Sequence, residues 1–517
     1  MEILPRPTAQ DDGGGPRMWV DEAIWGHRLY DEQTPWLTML EFLGVLYAEH
    51  SRGRALREDK LNGLSYKPQQ QLRLRNILFN NPHIATVLAS DQSDDAMWSN
   101  WFHLMKESAG GLEDPDFAYL RDRFESFRDF ESIVSFLQSS AIEGGSNKRW
   151  SSKFVFPFGP NALYEDASVQ GKGASVSTDR RFFARTGEVL YIMLCRSAKA
   201  SELRERLVSR LFEAKAPYDG LIKALQGDVQ LARNERDGAY VPCSKHPAFD
   251  KLAEDWLSIL NLDMPTYDAL PHLVVMTGLH LLRYQLERGS EVLQRGDQIN
   301  LVCEIVSPKK SVVRDISADS FQSNNALPQE AIERFVRKIS ETTEWQAAIE
   351  SQEPLVNAIE LLTKSFDLPE EFIASDEVKG TPSDLLEKLV ERATVRHKQH
   401  VGKIHATWAR LIGLSSRRAS RRVRYAPTDR LLKTLVVCCV NEHMEFKDFL
   451  ALLYDRYGII IGDHQAREFI SKGAADQEDF SDNARRLEAR LASLGLLKRL
   501  SDSCAYVESP FKRKTLQ

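Results

Sequence analysis

The sequence predicts a mainly α protein with minor β structure, organised as a multi-helix body followed by a C-terminal module of different texture. Three observations carry that expectation. Apolar residues recur every three or four positions through most of the 517 residues. The best strand candidate, Ile299 to Ser307, is a single short run of β-branched and apolar residues. From Thr428 to Val507 the pattern becomes helix, helix, short strand, helix and hairpin.

Composition sets the outer limits. With 42% hydrophobic and 27% charged residues and a formal net charge of -6, the chain reads as an ordinary globular protein of roughly two to four domains. No stretch approaches the ~18 uncharged apolar residues of a membrane span. The N-terminus, MEILPRPTAQDDGGGPR, lacks the basic-then-apolar order of a secretory signal. A cytoplasmic protein with no membrane partner is expected. The six cysteines, Cys195, Cys243, Cys303, Cys438, Cys439 and Cys504, show no C-x-x-C spacing, so no zinc site, other metal site or disulfide framework is predicted.

The elements follow in order. Residues 1–15 read as a flexible leader, and 16–143 as an N-terminal helical region. There Asp21 is a cap, Pro35 marks a break, and Leu37, Leu40, Phe42, Leu43, Leu46 and Tyr47 keep helical spacing. Trp19, Trp25 and Trp36 are core anchors. Further helices are expected over Pro68–Phe79, Asp94–Lys106 and Pro115–Leu137, the last with an aromatic stripe whose period matches a buried face.

Residues 144–366 form a mixed, mostly helical central domain that opens with a glycine-rich basic loop, 144–188. Lys148, Arg149, Lys153, Lys172, Arg180, Arg181 and Arg185 alternate there with Trp150, Phe154, Phe156, Phe182 and Phe183. Cations meet phosphates while rings stack on bases, so this texture suits a single-stranded nucleic acid; a surface hairpin with its rings turned inward is the plainer alternative. Gly171 and Gly173 lack the spacing of a P-loop. Helices are expected over Gly187–Arg196, Ser201–Gln226 and Pro265–Arg288, with Pro271 in the first turn of the last. His272 and His280, eight residues apart, lack a third ligand and read as core or surface residues. A polar stretch follows the Ile299–Ser307 strand, and a helical stretch spans Pro328–Phe366. The acidic, proline-containing segment 367–382 reads as a linker and the main domain boundary.

Residues 383–425 comprise a long helix and an arginine cluster. The run KIHATWARLIGLSSRRASRRVRYAPTDR, Lys403 to Arg430, carries eight Lys or Arg against one acid in an acidic protein. Arg417, Arg418, Arg421, Arg422 and Arg424 are candidate phosphate contacts, because an arginine fork suits phosphate oxygens. In the final segment, 426–517, Asp429 is read as the cap of a first helix and Glu445–Tyr457 as the second. Gly458 ends it, Ile459–Ile461 is the short strand, and the third helix is expected to start at Ser481 or Asp482. Leu496–Leu500 and Cys504–Val507 form the hairpin. That order is expected of a winged helix, in which the third helix enters a groove. Asn483, Arg485, Arg486 and Arg490 face away from its core stripe and are candidate nucleic-acid contacts, although Glu488 stands among them and winged helices also dock proteins.

The stretches APTDRLLKTLV, MEFKDFLALLYDRYGIIIG and NARRLEARLASLGLLKRLSDSCAYV resemble the terminal winged-helix region of proteins from multi-gene bacterial antiphage defence systems. The resemblance covers about the last eighty residues. It implies a non-catalytic component of a larger assembly of protein subunits.

Motifs for serine hydrolases, zinc proteases, kinases and zinc deaminases are absent from the sequence. The preferred expectation is therefore a non-enzymatic adaptor that binds DNA or RNA, with no cofactor. Two alternatives stay open: a metal-dependent nuclease using Asp179 and Glu188 beside the basic loop, and a scaffold that touches only protein.

Overall fold

The computed structural model describes residues 4, 20–26, 33–57, 63–67, 69–90, 92–112, 115–139, 159–162, 167–169, 176–178, 185–213, 219–227, 230–231, 236–296, 298–307, 311–366, 380–417, 422–501 and 504–512. The protein is mainly α with minor β, its described strands pairing in sheets of two or three. The chain divides into two compact units. One comprises Met1–Pro35, Arg196–Lys199 and Tyr240–Gln517, and the other Trp36–Cys195 and Ala200–Ala239.

In the second unit an aromatic cluster forms the core. Trp98 meets Phe127 edge to face with centroids 5.1 Å apart, and Trp101 meets Phe130 at 4.9 Å. The single helix expected over Pro115–Leu137 is broken into a 3-10 turn, Ala118–Arg123, and an α-helix, Phe127–Ser139. The break is stabilised by capping. Asp94 Oδ1 accepts the Phe127 amide at 2.7 Å, and Ser126 Oγ accepts the Asp129 amide at 3.2 Å. Helices Pro35–His50 and Thr186–Cys195 come close at Gly187, where a Cβ would lie 2.5 Å from Glu41 Cβ. The Glu41 carboxylate accepts the amides of Arg185 and Gly187 at 3.0 and 2.8 Å, placing an anion on the helix N-terminus.

The first unit is built around the helix Thr266–Val292, apolar on most of its circumference and buried accordingly. Pro271 lies inside this helix and not in its first turn, because the helix already begins at Thr266. Trp25 Nε1 donates to the Gln285 carbonyl at 2.9 Å and Trp408 Nε1 to the Gln33 carbonyl at 2.7 Å. Leu4, within the expected leader, is buried, and its amide donates to the Pro242 carbonyl at 2.7 Å.

The helix Val312–Arg337 starts well before the Pro328 at which sequence reading placed it. Its first half looked like a polar connection because it carries Ser317, Ser320 and Asn324. Those side chains face inward and satisfy backbone carbonyls. Ser317 Oγ donates to the Tyr425 carbonyl at 2.7 Å, and Asn324 Nδ2 to the Asn300 carbonyl at 3.0 Å. The helix Pro382–His400, opened by a Thr381/Asp384 capping box, packs on Val312–Arg337. Both flanks of the expected 367–382 linker therefore belong to one compact unit; residues 367–379 lie outside the described residues.

The C-terminal region runs through helices Asp429–Cys439, Phe446–Tyr457, Arg467–Ser471 and Gln477–Ser493. A three-stranded antiparallel sheet places Ala505–Glu508 between His443–Glu445 and Leu497–Arg499. Two details differ from expectation. The long helix begins at Gln477, earlier than Ser481, because Asp476 and Asp479 cap it reciprocally. The strand Ile459–Ile460 does not join the hairpin; it pairs in parallel with Leu301–Val302. Gly458 turns the chain from the helix Phe446–Tyr457 into this strand with φ 67°, and a Cβ there would stand 1.9 Å from the Ile299 carbonyl oxygen.

Candidate nucleic-acid interface

The strand segment around Leu301–Glu304 positions both groups of candidate arginines. On one edge the Cys303 amide donates to the Ile460 carbonyl at 2.9 Å, and on the other the Glu304 amide donates to the Tyr425 carbonyl at 2.9 Å. Tyr425 belongs to an antiparallel pairing, Ser415–Ser416 with Arg424–Tyr425, beside whose described ends stand Arg417 and Arg422. Beyond Ile460, the helix Gln477–Ser493 is fixed to the same strand by Asn483, whose Nδ2 donates to the carbonyls of Cys303 and Ile461 at 2.9 and 3.0 Å.

A buried polar cluster fixes the helix Phe446–Tyr457 in turn. Asp255 accepts from His280 Nε2 at 2.6 Å, from the Tyr457 hydroxyl at 2.8 Å and from Arg456 Nε at 2.7 Å. Burial alone would push the Asp255 pKa up, but His280 and Arg456 hold it below the usual carboxylate value.

The candidate residues separate by environment. Arg417 and Arg422 are exposed at the hairpin, where Arg422 pairs with Asp319 and reaches Gln322 Oε1 at 3.4 Å. Arg485 is exposed and meets Asp482 at 2.7 Å, with Arg486 4.0 Å from the same carboxylate. Arg490 is bound to Asp429 at 2.7 Å and to the Pro427 carbonyl at 3.1 Å, which ties its helix to the segment following the hairpin.

Two candidates are corrected. Arg424 is 2% exposed and paired with Glu304, which also binds Arg314 Nε at 2.9 Å. Asn483 is fully buried, with its Oδ1 accepting the Ile305 amide at 2.8 Å. Both are cross-braces of the interior, and neither meets solvent where a phosphate approaches. Lys148, Arg149, Arg180, Arg181, Arg418 and Arg421 lie outside the described residues.

Sequence reasoning passed over Lys498 and Arg499 on the hairpin strand, both exposed. Arg499 is 3.3 Å from Glu488, so the acid noticed within the helix neutralises a cation on the hairpin. A cleft of about 310 Å³ beside them sets Glu445 and Glu488 against Lys447 and Arg499, a mixed lining with no excess of positive charge for an anion. Glu188, suspected in the nuclease alternative, is fully buried with the Tyr66 hydroxyl 3.3 Å from Oε1, while Asp179 lies outside the described residues. Among the described residues no group of three or more His, Cys, Asp or Glu is placed to hold a metal ion. None of the described helices is long and apolar enough to cross a membrane.

Residues 385–508, from within the helix Pro382–His400 to the last residue of the final strand, match the family model described as Methylation-associated defense system protein MAD7. The match links the chain to a defence system over its C-terminal part. No curated protein and no solved structure is matched.

Proposed function

We propose that this chain is a non-enzymatic, nucleic-acid-binding component of a cytoplasmic, multi-protein antiphage defence assembly, and that residues 429–508 serve it as a winged-helix module. The observation that carries the reading is the order of elements after Thr428. Helix, strand, helix, short strand, short helix, long helix and hairpin follow one another, with His443–Glu445 on the outer edge of the hairpin sheet and Ile459–Ile460 paired outside it. In a winged helix that arrangement presents the last long helix to a groove, and here Arg485 projects from that helix into solvent. Arg417 and Arg422, on a hairpin anchored to the same strand segment, supply flanking phosphate contacts. The match to a defence-system family supports the biological setting, and such a system favours other protein subunits as partners.

The test is binding of the full chain to labelled duplex and single-stranded DNA across a salt series, with and without EDTA, beside an Arg417→Ala/Arg422→Ala/Arg485→Ala variant. Salt-sensitive binding without cleavage is expected. Each phosphate contact contributes about 0.9 to the log–log salt slope, so the variant should flatten it by up to about 3. Absence of wild-type binding at low salt would leave a protein-docking scaffold as the better account, and metal-dependent loss of substrate would favour a nuclease.

A further inference from the structure

We propose that Asp319 and Asp482 are specificity-determining residues of this surface, each occupying an arginine that phosphate must claim. The inference rests on the nucleic-acid reading above. Asp319 pairs with Arg422, and Asp482 pairs with Arg485 while lying 4.0 Å from Arg486. The three most solvent-accessible arginine contacts of the hairpin and helix are therefore Arg417, without a carboxylate within ion-pair distance among the described residues, and two that are already held by acids of the same chain.

These two pairs differ in kind from the buried Glu304–Arg424 pair. The Asp319 and Asp482 side chains are 69% and 43% exposed, so water screens the attraction and the carboxylate can be displaced. An exposed pair of this sort holds its arginine against a competitor by roughly 1.4- to 5-fold, which is about 0.2–1 kcal/mol. An isolated phosphate merely exchanges one anion for another. Duplex DNA, carrying a charge every ~1.7 Å, gains from several exchanges at once and from released counterions. The acids thus lower the response to isolated anions and reserve the surface for dense polyanions.

The test compares the full-length wild type with Asp319→Asn/Asp482→Asn, using labelled duplex DNA as probe. A control, Glu330→Gln/Glu387→Gln, makes the same change in net charge at exposed acids paired with Arg295 and Arg337, away from the candidate contacts. The expected result is duplex binding tighter by about 2- to 25-fold in the aspartate variant, the product of two such pairs, with less than half that gain in the control on a logarithmic scale. Inorganic phosphate should also compete more effectively against the aspartate variant. In an Arg422→Ala background, Asp319→Asn should lose its effect, which a general change of charge does not predict. An unchanged affinity, or an equal gain in the control, overturns the inference while leaving the binding reading intact. Failure of the wild type to bind at low salt overturns both.

Discussion

Asn483 is joined to Cys303 across 180 residues of chain, its Nδ2 donating to the Cys303 carbonyl at 2.9 Å. The same side chain bonds Ile461 and the amide of Ile305. One amide therefore satisfies three backbone groups and fixes the helix Gln477–Ser493 against the strand Leu301–Val302. This helix carries the arginines proposed to meet nucleic acid, so its placement depends on an interior contact.

Replacing Asn483 with Ala strands those three backbone groups away from water. Each unsatisfied buried group costs about 1–3 kcal/mol, and partial relaxation makes a loss of roughly 2–5 kcal/mol the expectation. Urea denaturation should show a lower midpoint. DNA binding by the fraction still folded should keep the wild-type salt slope, whereas a slope lowered by one contact would mean that Asn483 touches the ligand after all.

Arg424→Ala is expected to destabilise the protein by about 3–5 kcal/mol, because it leaves the buried Glu304 carboxylate with Arg314 alone. Arg424→Met combined with Glu304→Gln removes both charges and should recover much of that loss. The two denaturation midpoints check this directly. If Arg424→Ala leaves stability unchanged and weakens DNA binding instead, the residue belongs to the surface and its interior role is refuted.

His405 gives a pH dependence of known sign. Burial pushes its pKa down to about 4, against about 6.5 in an unfolded chain. Its Nε2 lies 2.8 Å from the Tyr425 hydroxyl, and Nδ1 is buried without a hydrogen-bond partner. Above pH 6.5 both states hold it neutral and the stabilising preference for the neutral ring is fully present. As pH falls towards 4 the unfolded state takes up a proton that the folded state refuses, and stability declines by up to roughly 3 kcal/mol. Thermal melts between pH 7 and 4.5 should fall steeply for the wild type and less for His405→Gln. Parallel curves for the two proteins would exclude His405 as the source.

Much of the fold was legible because local rules decided it. The helix Phe446–Tyr457, its stop at Gly458 and the hairpin Leu497–Arg499 with Ala505–Glu508 follow from apolar period, a left-handed glycine and turn chemistry within a few residues. The helix Val312–Arg337 was misread because its polar residues bond the carbonyls of Asn300 and Tyr425, which period alone cannot reveal. The strand Ile459–Ile460 was recognised as a strand, but its partner lay some 158 residues upstream.

The candidate site divides in the same way. Charge density was readable from composition, and it marked Arg417, Arg422 and Arg485, which the fold leaves exposed. It marked Arg424 equally, and the helical period marked Asn483, because an arginine or asparagine destined for a buried brace has the same chemistry as one destined for a phosphate. The sequence by itself determined the helical class, the glycine stop at Gly458 and the basic island, all consequences of interactions between neighbours along the chain. Tertiary structure alone decided which donors remain available, since that depends on whether a carboxylate or carbonyl from a remote segment arrives beside them and on whether water is left there to screen the pair.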